Sequence, residues 1–231
     1  IKELGNQVPA GRVTVVGNGS ACVVGGHAYP MKRGQRFITN SAVASMGYDL
    51  PAAIGAWAAT RRGECYCQNG DRQGDDLILI TGDGSIQMNL QELQTIIHHR
   101  MGIKIFLINN GGYHSIRQTQ KNFFGEPLVG IGVDSGDLSF PDMEKLAAAY
   151  GYPYVRACHN GELSAAVART LAMEGPVICE VFVSMDQNFE PKSSAKRLPD
   201  GTLVSPPLED LSPFLPEEEM DANMIIPRIR G

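Results

Sequence analysis

Two short apolar runs, each followed by glycine and an oxygen-bearing side chain, constrain the fold of this chain most strongly. The first, residues 76–81, leads into Gly82-Asp83-Gly84-Ser85, and the second, residues 103–108, leads into Asn109-Asn110-Gly111-Gly112. Between them, apolar residues recur at roughly helical spacing, which predicts a strand–helix–strand unit. Such a crossover is right-handed, and both loops then emerge at the carboxyl edge of a parallel sheet, where open α/β sheets bind ligands.

The side chains at this edge are suited to hold a small cation beside an anion. Asp83 offers a carboxylate and Asn110 offers an amide oxygen. The glycines allow the backbone to approach a charged group closely, and Ser85 begins a predicted helix whose free N–H groups favour an anion. An Asp-Gly or Asn-Gly after a strand is by itself more often a simple turn. The spacing of the two halves therefore carries the argument.

The stretch from Gly82 to Leu93, together with Asn109-Asn110, resembles the GDG…NN diphosphate motif of thiamine-diphosphate enzymes, and in its detail acetolactate synthase. The resemblance implies thiamine diphosphate as the cofactor, with its diphosphate held by these two loops. It also implies that Asp83 and Asn110, with the Gly112 carbonyl, hold Mg²⁺ alongside phosphate oxygens and a water. The other implied cofactor contacts in the first loop are Gly82, Gly84 and Ser85.

The segment from Asn40 to Ala56 resembles the part of the same family that lies beneath the bend between the two cofactor rings. There a bulky apolar residue, here Met46, props the cofactor in its bent conformation, and the backbone at Ala44 and Met46 holds the aminopyrimidine edge. Without the resemblance, Met46 is explained as core filler, the usual role of methionine. In acetolactate synthases the loop after the first strand carries a Gln-His pair. Ser20 and Ala21 stand at the matching positions, which leaves the Ser20 hydroxyl and backbone N–H groups as contacts.

The residues from Tyr113 to Phe124 are predicted to form a helix directly after the cation loop, which brings Tyr113 and His114 near the cofactor. His114 is equally well explained as a helix-start residue with its own hydrogen bonds. In the family, the glutamate that assists cofactor activation lies on a separate pyrimidine-binding domain, upstream in chain order. Glu92 sits in the wrong motif to replace it. Because the sequence begins at Ile1 and not at a methionine, we expect the chain to be a piece of a longer enzyme. We also expect it to be inactive without the pyrimidine-binding domain.

Strands and helices alternate along residues 1–185, which predicts a doubly wound, mostly parallel sheet with helices on both faces. The resemblance identifies this as the thiamine diphosphate-binding fold. From Asp186 to Gly231 the chain is rich in proline and acidic residues and departs from acetolactate synthase. We expect an extended tail there that either wraps a partner or is mobile. Residues 61–75 are polar and turn-rich, and we interpret them as an exposed insertion without chemistry.

The composition argues against several other classes of protein. A net charge of −5 gives no reason to expect a nucleic-acid partner or an anionic membrane surface. No run approaches the ~18 apolar residues of a membrane span, and no signal-peptide pattern opens the chain. The five cysteines are scattered, and no histidine lies near the close pair Cys65 and Cys67 to complete a zinc site. We therefore expect a cytoplasmic protein with reduced thiols.

These features together predict the diphosphate- and Mg²⁺-binding half of an acetolactate-synthase-like enzyme. The resemblance implies decarboxylation of a 2-keto acid, with pyruvate expected, and transfer of the two-carbon unit to an acceptor carbonyl. It also implies a pyrimidine-binding domain of the same or another chain as partner, a homodimer or homotetramer, and FAD, where present, mainly on another domain.

Three alternatives to this enzyme concern the same residues. A simple 2-keto-acid decarboxylase, as a domain or a subunit, stays open. A non-catalytic cofactor-binding module is disfavoured by the intact pair Asp83 and Asn110, since a module without cofactor needs neither ligand. A plain nucleotide-binding domain is disfavoured because the sequence has neither a P-loop nor a Rossmann fingerprint.

Overall fold

A computed structural model describes residues 1–61 and 76–228 of the chain. The chain divides into two compact units, Ile1–Gln187 and Asn188–Gly231, which are treated separately below. The predicted insertion at residues 61–75, with Cys65 and Cys67, lies outside the described residues apart from the backbone of Arg61. The three cysteines within the described part are free thiols: Cys22, Cys158 and Cys179.

The described residues of the first unit form one six-stranded sheet, in which all neighbouring strands are parallel and the order is β2-β1-β3-β4-β6-β5. The strands are β1 (Val13–Val16), β2 (Arg36–Thr39), β3 (Leu77–Gly82), β4 (Ile103–Asn109), β5 (Tyr154–Ala157) and β6 (Val177–Phe182). In the central pair, Leu77 lies opposite Ile103 and Gly82 lies opposite Ile108. The loops after β3 and β4 therefore emerge side by side, as the apolar runs predict.

Seven α-helices accompany the sheet in the described part of the first unit. They are α1 (Lys2–Gln7), α2 (Ser20–Ala28), α3 (Asp49–Arg61), α4 (Glu92–His98), α5 (His114–Phe123), α6 (Met143–Tyr150) and α7 (Asn160–Ala172). Within residues 1–61 and 76–228, no helix combines the length and the apolar character that a membrane span requires.

Alternate residues of the central strands contribute to two hydrophobic cores, one on each face of the sheet. In β3, Leu77 and Leu79 belong to one core, and Ile78 and Ile80 belong to the other. The first core is completed by α3, α4 and α6, and the second by α1, α2 and α7. Because helices cover both faces, the strands are continuous apolar runs rather than alternating ones. The predicted doubly wound α/β fold is confirmed.

The helical pattern after β3 differs from the prediction. A single helix was expected to begin at Ser85, but the chain forms a short 3₁₀ helix, Ile86–Asn89, before α4 begins. The reason lies in contacts with a distant glycine. The Asn89 side chain donates a hydrogen bond to the Gly47 carbonyl (2.7 Å), and a Cβ atom at Gly47 would lie only 2.6 Å from the Cβ of Met88. The tighter turn therefore fits this part of the chain against residue 47.

Most residues of the predicted tail, Asp186 to Gly231, belong to the second unit. Within its described residues it contains a two-stranded antiparallel ribbon, β7 (Lys196–Arg197) with β8 (Leu203–Val204), and one helix, α8 (Glu217–Asn223). Phe189 and Met220 are buried. Most of the remaining described residues of this unit lie outside helices and strands, in keeping with the number of prolines.

Candidate functional site

Three loops meet at one edge of the sheet and form the candidate site. They follow β1 (residues 17–20), β3 (residues 82–85) and β4 (residues 109–112), and are called here the β1, β3 and β4 loops. The chain runs from β1 outward to β2 on one side and then returns to β3 on the other. Such a reversal of direction opens a crevice at the carboxyl ends of the strands, where ligands bind in open α/β sheets.

Asp83 joins the β3 and β4 loops through its carboxylate. Its Oδ1 accepts a hydrogen bond from the amide of Gly84 (2.8 Å), and its Oδ2 accepts one from the amide of Gly112 (2.9 Å). The side chain is only 2% exposed. Burial raises the pKa of Asp83 to about 6, although the hydrogen bonds from backbone amides act in the opposite direction.

Asn110 presents a buried oxygen at the same edge. Its Nδ2 donates to the Ser20 hydroxyl oxygen (2.7 Å), which links the β4 loop to the β1 loop. Its Oδ1 is buried and has no hydrogen-bond partner within the described residues. A buried acceptor without a partner costs about 1–3 kcal/mol. A small cation beside Asp83 and Asn110 would remove that cost, because both oxygens are hard ligands.

Gly112 closes the β4 loop in a conformation that suits glycine. Its φ is 144°, and a Cβ atom there would lie 2.8 Å from the Cα of Gly132 and would also clash with the carbonyl of Ile131. The Gly112 amide is directed to Asp83, and its carbonyl accepts from the amide of His114 (3.0 Å). The carbonyl has a second lone pair, so the predicted cation contact is compatible with this bond.

Arg117 stabilises the β4 loop through hydrogen bonds to its backbone. This residue of α5 is 1% exposed. Its guanidinium donates to both carboxylate oxygens of Asp134 (2.8 Å each) and to the carbonyls of Asn110 (3.1 Å) and Gly111 (3.0 Å). The hydrogen bonds from Arg117 lower the pKa of Asp134. The sequence predicts Arg117 on this helix, but no sequence signal links it to Asp134.

Tyr113 and His114 both lie beside the two central loops. A Cβ atom at Gly84 would approach the Tyr113 Cδ1 atom to 2.8 Å, so the aromatic ring lies directly on the β3 loop. The same ring makes an edge contact with Phe140, with centroids 5.6 Å apart. His114 is 5% exposed, and its Nδ1 lies 3.3 Å from the Arg117 guanidinium. The imidazole is thus part of the packing behind the β4 loop.

The segment that carries Ala44 and Met46 is tied to the β3 loop. Ala44 has a positive φ of 55°, and the Gly47 amide donates to the Ser85 hydroxyl oxygen (3.1 Å). Met46 is 39% exposed. A methionine that only filled the core would be buried, so core packing does not account for Met46. Since the Ser85 hydroxyl is engaged with Gly47, the Ser85 backbone is left as the part that can contact a cofactor.

Asp49 is a buried carboxylate to which the sequence assigned no role. It is 0% exposed, and it accepts hydrogen bonds from the hydroxyls of Thr81 and Ser85, the latter at 3.2 Å. Burial raises its pKa. An aspartate in the first turn of a helix is ordinarily explained by the helix dipole. The helix dipole gives no indication of the two hydroxyl partners, which lie more than thirty residues further along the chain.

The structure therefore brings most of the predicted residues together in one set of contacts. Seven of them are linked by hydrogen bonds or close packing within and between the three loops: Ser20, Asp83, Gly84, Asn110, Gly112, Tyr113 and His114. Gly82 ends β3, and Ala44 and Met46 join through Gly47 and Ser85. Glu92 lies apart from them at the start of α4, where it accepts a hydrogen bond from Thr95 (2.9 Å).

Known proteins resemble this chain over most of the first unit, and one of the matches extends into the second unit. Residues 17–181 match the family described as thiamine pyrophosphate enzyme, C-terminal TPP binding domain. The acetolactate synthase large subunit of Cyanidium caldarium is 35% identical over 156 residues, which cover 68% of this chain and 24% of that protein. The acetolactate synthase isozyme 2 large subunit of Escherichia coli (strain K12) is 30% identical over 212 residues, 92% of this chain and 35% of that protein. The chain thus spans about a quarter to a third of these relatives.

Asp83 makes the stability of the metal-free protein depend on pH. The folded protein keeps the Asp83 proton up to about pH 6, whereas the unfolded chain releases it near pH 4. The unfolded state binds fewer protons in that window, so the contribution of Asp83 to the free energy of unfolding falls as the pH rises through it. Relative to Asp83→Asn, which does not titrate, the wild type should lose about 3 kcal/mol between about pH 4 and pH 6.

Urea denaturation of both proteins across this pH range, with metal and cofactor omitted, measures the effect. Other titrating groups are common to both proteins and cancel in the difference. A difference in the free energy of unfolding that stays constant with pH would mean that Asp83 ionises as readily in the folded protein as in the unfolded chain.

Proposed function

We propose that this chain, which belongs to the thiamine pyrophosphate enzyme family as its C-terminal TPP binding domain, is the diphosphate- and Mg²⁺-binding half of an acetolactate-synthase-like enzyme. The full enzyme would decarboxylate a 2-keto acid, with pyruvate as the proposed substrate, and pass the two-carbon unit to an acceptor carbonyl. The observation that carries this proposal is the buried Asn110 Oδ1, which lacks a partner among the described residues and lies in the loop joined to Asp83.

The residues at the carboxyl edge fit the metal and the cofactor. Asp83, Asn110 and the Gly112 carbonyl would hold Mg²⁺, because this ion prefers hard oxygen ligands and shares them with phosphate oxygens. The diphosphate would lie against Gly82, Gly84 and the Ser85 backbone, with Ser20 from the β1 loop. When bound, thiamine diphosphate supplies a nucleophilic carbon and an electron sink for decarboxylation.

The chain's own residues orient this site before any ligand binds. The amides of Gly84 and Gly112 hold the Asp83 carboxylate. The bond from Asn110 to Ser20 fixes which atom of the amide remains for a cation. Arg117 prevents the β4 loop from relaxing away, because it binds two of its carbonyls from a buried position. Such preorganisation reduces the ordering cost of binding.

Met46 and the Ala44 backbone would support the organic part of the cofactor. Met46 is partly exposed in a segment fixed to the β3 loop. An apolar side chain held there can press the cofactor into its bent form, and the backbone at Ala44 can bind the aminopyrimidine edge. We regard Met46 as the residue of this chain that contributes most directly to cofactor activation.

The acid needed for cofactor activation is proposed to come from elsewhere. Glu92 is engaged within its own helix, and we assign the catalytic glutamate to a pyrimidine-binding domain of the same or another chain. A homodimer or homotetramer would bring the two halves together. FAD, where the full enzyme carries it, would bind mainly outside these residues.

Loss of the Asp83 carboxylate should abolish Mg²⁺-dependent binding of thiamine diphosphate. In the full-length enzyme, Asp83→Ala removes the one charged side chain proposed to bind the ion, so the ion is lost and the diphosphate charge is left without its counterion. Isothermal titration calorimetry with Mg²⁺ present measures the affinity. Asp200→Ala, at an exposed position of the second unit, is the matched control and should bind as the wild type does. Unchanged affinity in Asp83→Ala would refute the metal site.

Truncation of Met46 should lower turnover far more than stability. Because the side chain is 39% exposed, Met46→Ala should change the free energy of unfolding by less than ~1 kcal/mol. Turnover should fall about tenfold or more, since a small misplacement of reacting groups is costly. Met31→Ala, at a 53% exposed methionine, serves as control. Steady-state kinetics measure the turnover, and urea denaturation measures the free energy of unfolding. Normal turnover in Met46→Ala would exclude the supporting role.

These 231 residues alone should show no catalysis. With Mg²⁺, thiamine diphosphate and pyruvate, release of carbon dioxide should not exceed the background of the free cofactor, because general acid–base assistance is typically worth 10²–10⁴-fold. Addition of the pyrimidine-binding half in trans should restore some activity. Robust turnover by the chain alone would show that an acid within it performs the glutamate's task.

A further inference from the structure

Asp49 is a buried carboxylate that lies next to the β1 and β3 loops. It is 0% exposed, and no ion pair with it occurs within residues 1–61 and 76–228. Its side-chain partners are the hydroxyl groups of Thr81 and Ser85, and the backbone amides of Asp49 and Gly47 also favour its charged form. A buried carboxylate is costly to the fold unless hydrogen bonds compensate for its lost hydration.

The Asp49 side chain contacts the ends of two neighbouring strands. Thr81 belongs to β3, and Ser85 lies in the β3 loop. On the other side is Gly17, the first residue of the β1 loop, whose amide donates to the carbonyl of Ile80 (2.8 Å). A Cβ atom at Gly17 would lie 2.9 Å from the Asp49 Cγ atom, so no larger residue fits between them. The carboxylate fills the space at the base of the crevice.

A chain of two hydrogen bonds leads from this carboxylate to the segment that carries Met46. The Ser85 hydroxyl donates a hydrogen bond to Asp49 Oδ1 (3.2 Å). The Ser85 hydroxyl oxygen in turn accepts a hydrogen bond from the Gly47 amide (3.1 Å). A hydroxyl has a single proton. Its donation to Asp49 therefore leaves the lone pairs of the Ser85 oxygen directed to Gly47, and the residue next to Met46 is held in place.

We propose that Asp49 is a positioning residue for the cofactor, acting through Ser85 to hold the segment of Ala44 and Met46 in register with the β3 loop. The inference rests on the proposed function, because it assumes that thiamine diphosphate binds at this edge. In this proposal the carboxylate acts indirectly, through its hydrogen bond with Ser85. It orients the Ser85 hydroxyl, and the hydroxyl orients the Gly47 peptide.

Calorimetry of thiamine diphosphate binding to the full-length enzyme, in the presence of Mg²⁺, tests the inference. Asp49→Asn and Ser85→Ala should each weaken binding by about tenfold, as expected for loss of a hydrogen bond to a charged group. The double variant should be no weaker than the single ones, because both residues act through one chain of bonds. Additive losses would show that Ser85 and Asp49 act separately, and would overturn the proposal.

Thr81→Val is the matched control. It removes the other hydroxyl from the same carboxylate and leaves the bond between Ser85 and Asp49 in place. It should lower the melting temperature and leave the affinity for thiamine diphosphate within about twofold of wild type. If Thr81→Val weakens binding as much as Ser85→Ala does, any disturbance of Asp49 has the same effect and the specific link to Gly47 is refuted.

Hydrogen exchange supplies a second measurement that needs no cofactor. In the cofactor-free enzyme, the Gly47 amide should exchange at least about tenfold faster in Asp49→Asn and Ser85→Ala than in wild type or Thr81→Val. Equal exchange in all four proteins would overturn the proposal. A wild type that protects Gly47 but does not bind thiamine diphosphate would instead refute the proposed function, so the two failures are distinguishable.

Discussion

The hydrogen bond from the Gly112 amide to the buried Asp83 carboxylate is the interaction on which the site depends. It joins the ends of two central strands, and their spacing is set by the parallel register between β3 and β4. The hydrophobic cores on the two faces hold those strands in place. The β1 loop joins through Ser20 and Asn110. The loops are therefore ordered by the sheet rather than by their own short sequences.

The same edge concentrates polar groups that a stable core would avoid. Asp83 and Asp49 are carboxylates with 2% and 0% exposure, and Asn110 presents a buried oxygen without a partner in the described part of the chain. Each imposes a cost that the apolar packing of the sheet must offset. Proteins break such local rules chiefly at functional sites. The two apolar cores thus stabilise the fold, whereas the buried polar groups that cost stability lie together at the carboxyl edge of the sheet.

Sequence reasoning succeeds here where local pattern decides the structure, and fails where distant contacts do. The apolar runs and their spacing are sufficient to place Asp83 and Asn110 side by side. The partners of Arg117 and Asp49 lie 17 and more than 30 residues away, and no periodicity marks them. The 3₁₀ turn after Ser85 has the same origin, since it depends on contact with Gly47. The exposure of Met46 likewise follows from packing that the sequence does not display.

Arg117 has a consequence for how this domain can evolve. Its planar guanidinium donates hydrogen bonds to the Asp134 carboxylate and to two loop carbonyls at the same time. A lysine ammonium cannot reproduce that geometry. Loss of Asp134 would leave the buried Arg117 guanidinium without its carboxylate partner. Substitution of Arg117 would also remove the hydrogen-bond donors of two loop carbonyls, so few replacements should be tolerated at position 117. Among descendants of this sequence, we therefore expect positions 117 and 134 to covary.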